Sequence, residues 1–403
     1  MNKEDKALFG DAPPSPSQSV LIVDPQVEGH HLTWIRYITD AFLSQNFKVT
    51  LMADFRPQHA SKIHNVLQDR LKDIQRICAF NENGRYHGNS CLKSVSLAQK
   101  EYGFSHIFFN ELDLFASNCL RQAAMGRYPP RNIKGLLSGI YFRPRFLFEK
   151  KTLSNSIKSA GFKRLYQNRW FKNIFLMDEQ RIEDVSKKFP DINFNFLPDP
   201  WDGNFAIDQK DARSCLNLPP NKFIVLQFGI GTKRKGLHHV ANAMKNLPDS
   251  SDVFLLCAGK LSIPSKFERL LYKLEAQGKA KILNRYVSDT EEKFCFCASD
   301  AVLLPYVHHM GSSGVLPRAC AAGKPVIASD FDLVGFRVKQ YELGLVFEHG
   351  SVAQLKTAIH KLAQMDIIQK EKFKKNNWGY AKRCHYKKFK QAVTKPFVIR
   401  PIY

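Results

Sequence analysis

One stretch, residues 303 to 330 (LLPYVHHMGSSGVLPRACAAGKPVIASD), constrains the fold of this chain more than any other. It joins two short apolar runs through a turn of small residues at 310–314 and an alanine-rich segment at 315–322, which predicts strand, turn, helix and strand. In that arrangement the unpaired amide N–H groups of the turn and the positive end of the helix dipole converge on one point. We therefore predict an anion-binding turn, and the competing interpretation is a tight connection that binds nothing.

The rest of the chain repeats this alternation of apolar runs and amphipathic segments. Residues 19–24 (SVLIVD) indicate a buried strand, 32–43 have apolar residues at helical spacing, and 47–52 indicate a second strand. A Pro/Gly-rich cluster at 198–203 closes the first half, and a strand at 223–228 starts the pattern again. We therefore predict an α/β protein with two doubly wound, Rossmann-like domains that face a cleft.

The chain of 403 residues is long enough for two such domains with full cores. In the first domain we expect residues 60–100 to be mostly helical and residues 133–142 to form a strand with its exit. The predicted limits are a flexible tail over 1–18, an acceptor-side domain over 19–202, a donor domain over 203–368, and a basic C-terminal helix and tail over 369–403 that packs back on the first domain.

The charge of the chain favours polyanionic partners. Sixty Lys and Arg against 37 Asp and Glu give a net charge of +23, which suits nucleic acid, an anionic membrane or phosphorylated small molecules. The basic and aromatic segment 150–172 is either a solvated face or a surface that docks on anionic lipid. No zinc finger, RRM signature or helix-turn-helix pattern occurs, so we expect no specific nucleic-acid binding.

Cysteine usage and hydropathy favour a cytoplasmic location. The nine cysteines are scattered without metal-ligand spacing, which fits reduced thiols. The first 18 residues lack the apolar core of a signal peptide, and no uncharged apolar run approaches the roughly 20 residues that a membrane span needs. We expect a protein that is at most peripheral at the inner face of the membrane.

Three motifs in the second half resemble the retaining GT-B glycosyltransferases of the family 4-like group (glycosyl transferases group 1), which use nucleotide-sugar donors. They are the loop GIGTKRKG at 229–236, the segment NRYVSDTEEKFCFCASDAVLLP at 284–305 and the segment AGKPVIASD at 322–330. The resemblance implies that Lys235 holds the donor diphosphate and that the backbone near Tyr286 meets the base. The donor-binding residues that it implies, together with the anion-binding turn, are Gly229, Lys233, Lys235, Tyr286, Gly311, Ser312, Ser313, Gly314 and Arg318.

This chain departs from the family pattern at the turn itself. The family has two glutamates eight positions apart, and Met310 and Arg318 stand at those positions here. Arg318 is a cation and would pair with a phosphate instead. The family's arginine after the loop glycine is Ile230, for which Lys233 or Arg234 would substitute.

The acceptor would meet the first domain, where the loop after the first strand contains two histidines. We predict that His30 or His31 orients the acceptor hydroxyl, and the competing interpretation is that they cap or pack. Glu111 and Asp113 follow another strand and would either act at the site or cap the next helix.

The resulting hypothesis is a retaining, hexosyl-type glycosyltransferase that moves a sugar from a nucleotide-sugar to a glycan or lipid-linked acceptor in cell-surface polysaccharide biosynthesis. Cations and backbone amides would stabilise the departing diphosphate, so we expect a metal-independent enzyme with no cofactor. The alternatives are a catalytically silent GT-B binding protein, supported by the two missing glutamates, and a basic α/β protein associated with nucleic acid.

Overall fold

The structure, a computed structural model, describes residues 18–28, 31–148 and 152–398, without the side chains of residues 115 and 116. The predicted tail lies outside the described residues except at its last position. His30, one of the two predicted acceptor-site histidines, and the first two residues of the basic segment 150–172 also lie outside them.

By the proximity of their Cα atoms, the described residues fall into two compact units. The first unit is formed by residues 18–197 and 389–398, and the second by Pro198–Lys388. The domain limits that the sequence suggests stay predictions.

The strands of the first unit are β1 (Ser19–Val23), β2 (Lys48–Ala53), β3 (Ile74–Cys78), β4 (His106–Phe109), β5 (Leu137–Tyr141), β6 (Phe171–Leu176) and β7 (Asn193–Phe196). Among the described residues they form one parallel sheet in the order β3-β2-β1-β4-β5-β6-β7. The order reverses between β1 and β4, so the carboxyl ends of these two strands lie side by side at the switch point, where ligands bind in α/β sheets.

The helices of the first unit are α1 (His31–Leu43), α2 (Pro57–Leu67), α3 (Cys91–Tyr102), α4 (Asp113–Ala124), α5 (Arg145–Phe148), α6 (Leu153–Gln167) and α7 (Ile182–Lys188), with 3-10 turns at Gln68–Lys72, His87–Asn89, Arg131–Ile133 and Glu179–Arg181. Helix α1 buries Ile35, Ile38 and Phe42 on one face, as the apolar spacing predicts.

The strands of the second unit are β8 (Phe223–Phe228), β9 (Gly231–Thr232), β10 (Val253–Ala258), β11 (Leu261–Ser262), β12 (Ala280–Leu283), β13 (Ala301–Leu304), β14 (Val326–Ser329) and β15 (Gly344–Phe347). In the described part of this unit, six of them form a parallel sheet in the order β12-β10-β8-β13-β14-β15, and β9 pairs with β11. Its switch point lies between β8 and β13.

The helices of the second unit are α8 (Gln209–Cys215), α9 (Leu237–Lys245), α10 (Ser265–Ala276), α11 (Asp289–Ala298), α12 (Val315–Ala321), α13 (Asp332–Gln340), α14 (Val352–Gln364) and α15 (Ile367–Cys384). Helix α16 (Tyr386–Thr394) begins at the end of this unit and continues into residues of the first. Both sheets are parallel and their central strands are buried, so the predicted Rossmann-like α/β architecture is confirmed.

The end of the chain packs on the first unit. The ring of Phe389 lies 5.2 Å from that of Trp34, and the ring of Phe397 lies 5.2 Å from Phe42 and 6.2 Å from Phe108. Aromatic pairs of this kind contribute about 0.5–1.5 kcal/mol each beyond the area that they bury. These contacts fix α16 and the residues after it on the sheet that contains β4.

Three details of the secondary structure differ from the sequence-based expectation. Residues 60–100, expected to be mostly helical, contain β3, an edge strand with Gln75 and Arg76 exposed, so it lacks the apolar run that identifies a buried strand. The strand expected from residue 133 begins at Leu137, after a 3-10 turn. The single basic tail helix is two helices, α15 and α16, because the backbone at His385 is extended.

None of the helices in the described residues is long and apolar enough to cross a bilayer.

Candidate functional site

The anion-binding turn predicted in the second unit follows β13. The amide of Gly311 donates to Asp332 Oδ2 at 3.0 Å, and the amide of Val315 lies 3.3 Å from Ser313 Oγ. The described contacts give no acceptor to the amides of Ser312, Ser313 and Gly314. Three successive N–H groups without a protein acceptor are available as donors to an anion.

Two buried groups fix the hydroxyls of the turn. Arg337, only 1% exposed, donates through Nη1 to Ser312 Oγ at 2.5 Å, with another Nη1 contact to Asp199 Oδ2 at 3.7 Å. The buried hydroxyls of Tyr306 and Ser313 lie 2.8 Å apart. The cationic side chain of Arg337 therefore lies against the turn and adds positive potential to it.

The loop GIGTKRKG lies beside the same turn. The amide of Val307 donates to the carbonyl of Arg234 at 2.8 Å, and Arg234 Nη1 lies 2.5 Å from His309 Nδ1. The other nitrogen of His309 donates to the carbonyl of Ser312 at 2.9 Å. A chain of contacts thus joins the loop to the turn.

Lys235 turns back over the start of its own loop. Its ammonium lies 3.3 Å from the carbonyl oxygen of Phe228, the last residue of β8. A Cβ at Gly229 would be 2.5 Å from that nitrogen, and Gly229 has φ +88°. The positive φ favours glycine here, and a Cβ would also push the ammonium of Lys235 out of its present place.

Burial, followed by the positive charges of Arg234 and Arg318, lowers the pKa of Lys235 to about 8. The lysine is therefore mostly protonated at neutral pH but is poorly compensated by the protein. An anionic ligand in the turn would offset the cost of burying this positive charge beside two others.

Arg318 has a different partner from the one that the sequence suggests. Its Nε donates to Glu292 Oε1 at 2.7 Å, and its Nη1 donates to the carbonyl of Gly314 at 2.7 Å. Glu292 lies on α11 and its side chain is 22% exposed. Arg318 is at the site, but a carboxylate already holds it.

The remaining predicted donor residues lie on the surface of the second unit. Tyr286 is 82% exposed, and Lys233 is exposed in its loop. Ile230 is 57% exposed, beside the loop glycine.

In the first unit, the switch point contains a cluster of acids around His31. Asp24, fully buried after β1, accepts from His31 Nδ1 at 2.8 Å and from Asn110 Nδ2 at 2.5 Å. The other ring nitrogen of His31 lies 3.4 Å from Glu111 Oε2. His31 is only 6% exposed, so these contacts fix the orientation of its ring at the start of α1.

The environment of this cluster changes the affinity of its members for protons. Burial by itself would lower the pKa of His31, but the hydrogen bond and charge of Asp24, with the charge of Glu111, raise it. Burial, together with the charge of Asp113, raises the pKa of Glu111. Asp113 itself accepts from the amides of Phe142 at 2.7 Å and Arg143 at 3.3 Å.

Within the described residues, no three His, Cys, Asp or Glu side chains are grouped so that they could hold a metal ion.

A family model described as glycosyl transferases group 1 matches residues 208–378. The match spans the loop at 229–236, the turn at 310–314 and the strands on both sides of the switch point. The second unit belongs to the glycosyl transferases group 1 family. No curated protein sequence matches the chain in a sequence search.

Solved structures extend the likeness in fold over both units. Sucrose-phosphate synthase from Thermosynechococcus elongatus is 15% identical with a TM-score of 0.68 and covers 94% of this chain and 98% of its own. HepE from Anabaena, in complex with UDP, is 14% identical with a TM-score of 0.68, at 95% and 99% coverage. WaaG, a glycosyltransferase involved in lipopolysaccharide biosynthesis, is 16% identical with a TM-score of 0.63, at 94% and 98%. The fold of the chain is therefore GT-B, as predicted.

Four residues of the site carry little signal in the sequence. Asp24 ends the first apolar run and could have been found as a strand-end acid, whereas Glu292, Arg337 and Asp332 lie on helices at positions typical of solvated charges. Only the packing of α11, α12 and α13 around the turn brings them to it.

Proposed function

We propose that this group 1 glycosyltransferase transfers a hexosyl group, with retention, from a nucleotide-sugar to a glycan or lipid-linked acceptor. The observation that carries the proposal is the ammonium of Lys235 beside a turn whose three successive amides have no acceptor within the described residues. In glycosyl transfer the diphosphate leaves with its negative charge, and fixed donors that point at that charge lower the barrier. The two complexes of HepE with UDP and with UDP-glucose support a nucleotide-sugar as the donor class.

The donor side would use the side chains and amides of the second unit. Lys235 pairs with the diphosphate, and the amides of Ser312, Ser313 and Gly314 donate to it. Gly229 makes room for the lysine, Gly311 shapes the turn, and Lys233 and Tyr286 line the surface that the nucleotide covers. No step in this scheme requires a metal ion.

The acceptor side would use His31 in the first unit, with His30 beside it in the chain. Asp24 holds the Nδ1–H of His31, and Nε2 lies 3.4 Å from Glu111 Oε2, so an acceptor hydroxyl would bind beside both the ring edge and this carboxylate. The raised pKa of His31 favours the protonated ring, whose Nε2–H would donate a hydrogen bond to the oxygen of the acceptor hydroxyl and orient it.

A basic surface on the first unit supports an acceptor embedded in a membrane. Residues 114–177 contain thirteen Lys and Arg and a single acid, Glu149. Helices α4 and α6 pack side by side, and exposed large apolar side chains lie just after α4 (Met125 and Tyr128) and on α6 (Leu153 and Ile157). Among the described residues, the exposed cations of this basic surface are Arg121, Arg127, Arg131, Lys134, Arg143, Arg145, Lys163, Arg164, Arg169 and Lys172. Each cation near an anionic leaflet contributes about 1 kcal/mol of binding free energy, so we propose that this surface docks on anionic lipid.

Vesicle flotation tests the membrane step. Arg127→Gln/Lys163→Gln/Arg169→Gln should lose flotation with phosphatidylcholine–phosphatidylglycerol vesicles, whereas wild type should float with these and not with phosphatidylcholine alone. A matched triple change in the second unit, Lys245→Gln/Lys273→Gln/Lys339→Gln, should float like wild type. Equal flotation of both triple variants would contradict the proposal.

A panel of UDP-, GDP- and ADP-sugars tests the catalytic step. Release of nucleoside diphosphate, stimulated by a glycan or lipid-linked acceptor and lost in Lys235→Ala, is the expected result. Proton NMR of the product should give the anomeric configuration of the donor.

The second candidate is a catalytically silent GT-B protein that binds a nucleotide. The engagement of Arg318 by Glu292, where the family has a carboxylate, favours it. Nucleotide binding without turnover of any donor would support this candidate and contradict the first.

A further inference from the structure

Glu292 is an acid that pairs with one of three neighbouring cations of the site, Arg318, Arg234 and Lys235. Arg318 donates to it at 2.7 Å from α12, and the charges of Arg318 and Arg234 both act on Lys235 nearby. The side chains of Glu292 and Arg318 are 22% and 25% exposed, so the pair is mostly shielded from solvent. Because burial of a charged pair is costly, we expect the Glu292–Arg318 pair to have a function at the turn.

Capping of α11 is not that role. Ser288 and Glu291 already form a reciprocal capping box at the start of this helix, and Arg285 pairs with Glu291. Glu292, one residue further on, points instead towards α12. The bond from Arg318, which also donates to the carbonyl of Gly314, sets the position of its carboxylate relative to the turn.

The chemistry of Glu292 defines the ligand group that it would bind. An ionised carboxylate has about four lone-pair sites and no donor, and the Nε of Arg318 takes one of them. Such a group repels phosphate and attracts hydroxyl donors. A pair of adjacent sugar hydroxyls fits the remaining acceptor capacity.

Three features of the site follow the order of the parts of a nucleoside diphosphate. Lys235 and the turn offer positive charge for the diphosphate, Glu292 offers acceptors for the ribose hydroxyls, and Tyr286 offers an exposed aromatic ring for the base. Burial raises the pKa of Tyr286, and the charges of Asp289 and Glu292 raise it further, which places Glu292 within electrostatic reach of that ring.

We propose that Glu292 accepts hydrogen bonds from the ribose hydroxyls of the donor nucleotide and that Arg318 is a positioning residue that holds this carboxylate rather than a phosphate ligand. The inference rests on the proposed use of a nucleotide-sugar. It assigns ribose recognition to a side chain on α11. It also predicts discrimination against 2′-deoxynucleotides, because a site built for a hydroxyl is left with an unpaired acceptor when the hydroxyl is missing.

Calorimetry with UDP, GDP and ADP and their 2′-deoxy counterparts tests the assignment. For each nucleotide that binds, wild type should prefer the ribonucleotide by about tenfold or more, as expected for a hydrogen bond to a charged group. Glu292→Gln should reduce that preference at least about threefold, since charge-assisted bonds are roughly twice as strong as neutral ones. Asp289→Asn, which removes the same charge from the same helical turn, should keep it.

Arg318→Gln gives an independent measurement. As a positioning residue, Arg318 should be dispensable for inorganic pyrophosphate, so this variant should bind pyrophosphate like wild type while its preference for ribonucleotides falls. Equal losses for pyrophosphate and UDP would show a phosphate ligand and overturn that part of the proposal. If circular dichroism shows that Glu292→Gln does not fold, the ribonucleotide preference of Arg318→Gln tests the proposal in its place.

The outcomes separate this inference from the proposed function. Nucleotide binding with an unchanged ribose preference in Glu292→Gln overturns the inference alone. Failure of wild type to bind any of the three ribonucleotides overturns the proposed function and the inference together.

Discussion

The two sheets place opposite charges at the same topological position. In the first unit the switch point between β1 and β4 ends in Asp24, Asn110 and Glu111, whereas in the second unit the switch point between β8 and β13 is flanked by Lys235 and the glycine turn. Both positions are where a parallel sheet binds ligands. The fold therefore selects the place, and the side chains select the sign of the ligand's charge.

The two regions also differ in how fully the protein satisfies them. Asp24 accepts from His31, Asn110 and the amide of Gln26, so this buried carboxylate is satisfied by the protein itself. In the described contacts, the ammonium of Lys235 has a single carbonyl acceptor, and the amides beside it have none. The comparison teaches that the first region is built to hold a histidine and the second to receive an anion.

Removal of the cation from the second region should have the largest effect. Lys235→Ala should reduce kcat/KM by about 10²–10³, the loss seen when one preorganised donor to a developing negative charge is deleted. Steady-state release of nucleoside diphosphate measures this. Lys245→Ala, at the exposed end of α9, is the control. A loss in kcat/KM of less than threefold in Lys235→Ala would show that this lysine does not stabilise the departing diphosphate.

In the first region, loss of the histidine should cost less. His31→Ala should lower kcat by about 10²-fold, at the lower end of what a positioned acid–base group contributes. Asp24→Asn should keep the ring but remove the main group that raises its pKa, so the limb of the pH–rate profile due to His31 should shift to lower pH. His64→Ala on α2 is the matched control. An unshifted pH–rate profile in Asp24→Asn would contradict the statement that Asp24 sets the pKa of His31.

The pH dependence of nucleotide binding sharpens the contrast. Because the pKa of Lys235 is lowered to about 8 in the free protein, its charge is present below this pH and is lost as pH rises through it. The Kd for UDP should therefore rise above pH 8, by at most about tenfold per pH unit. Lys235→Arg stays charged and should bind with little change over this range, and a wild-type Kd that is flat from pH 7 to 10 would contradict the prediction.

The smallest expected effect concerns the space around the ammonium. Gly229→Ala should lower the free energy of unfolding by about 1–2 kcal/mol through its positive φ. It should also weaken UDP binding several-fold, because the new Cβ would displace Lys235. Gly278→Ala, with φ +69° and nothing within 4 Å of the added Cβ, should have the same kind of backbone cost without any loss of binding. Equal binding by both variants would contradict the crowding argument.

The sequence by itself determined the fold class and the location of the strand, turn and helix at 301–321. Continuous apolar runs such as residues 19–23 and 253–258 are unambiguous because strands buried on both faces contain few polar residues. Edge strand β3 was missed because it is only partly buried, so its sequence contains no continuous apolar run. The motif at 322–330 pointed to the family whose model matches residues 208–378.

Only the tertiary structure decided which charged side chains serve the turn. Glu292, Arg318 and Arg337 are far apart in the chain, and each has the sequence context of an ordinary solvated helix residue. Hydrophobic spacing predicts which face of a helix is buried but gives no partner for a charge. That choice depends on how α11, α12 and α13 pack around β13, where a separation of 2.7 Å makes Arg318 the partner of a carboxylate.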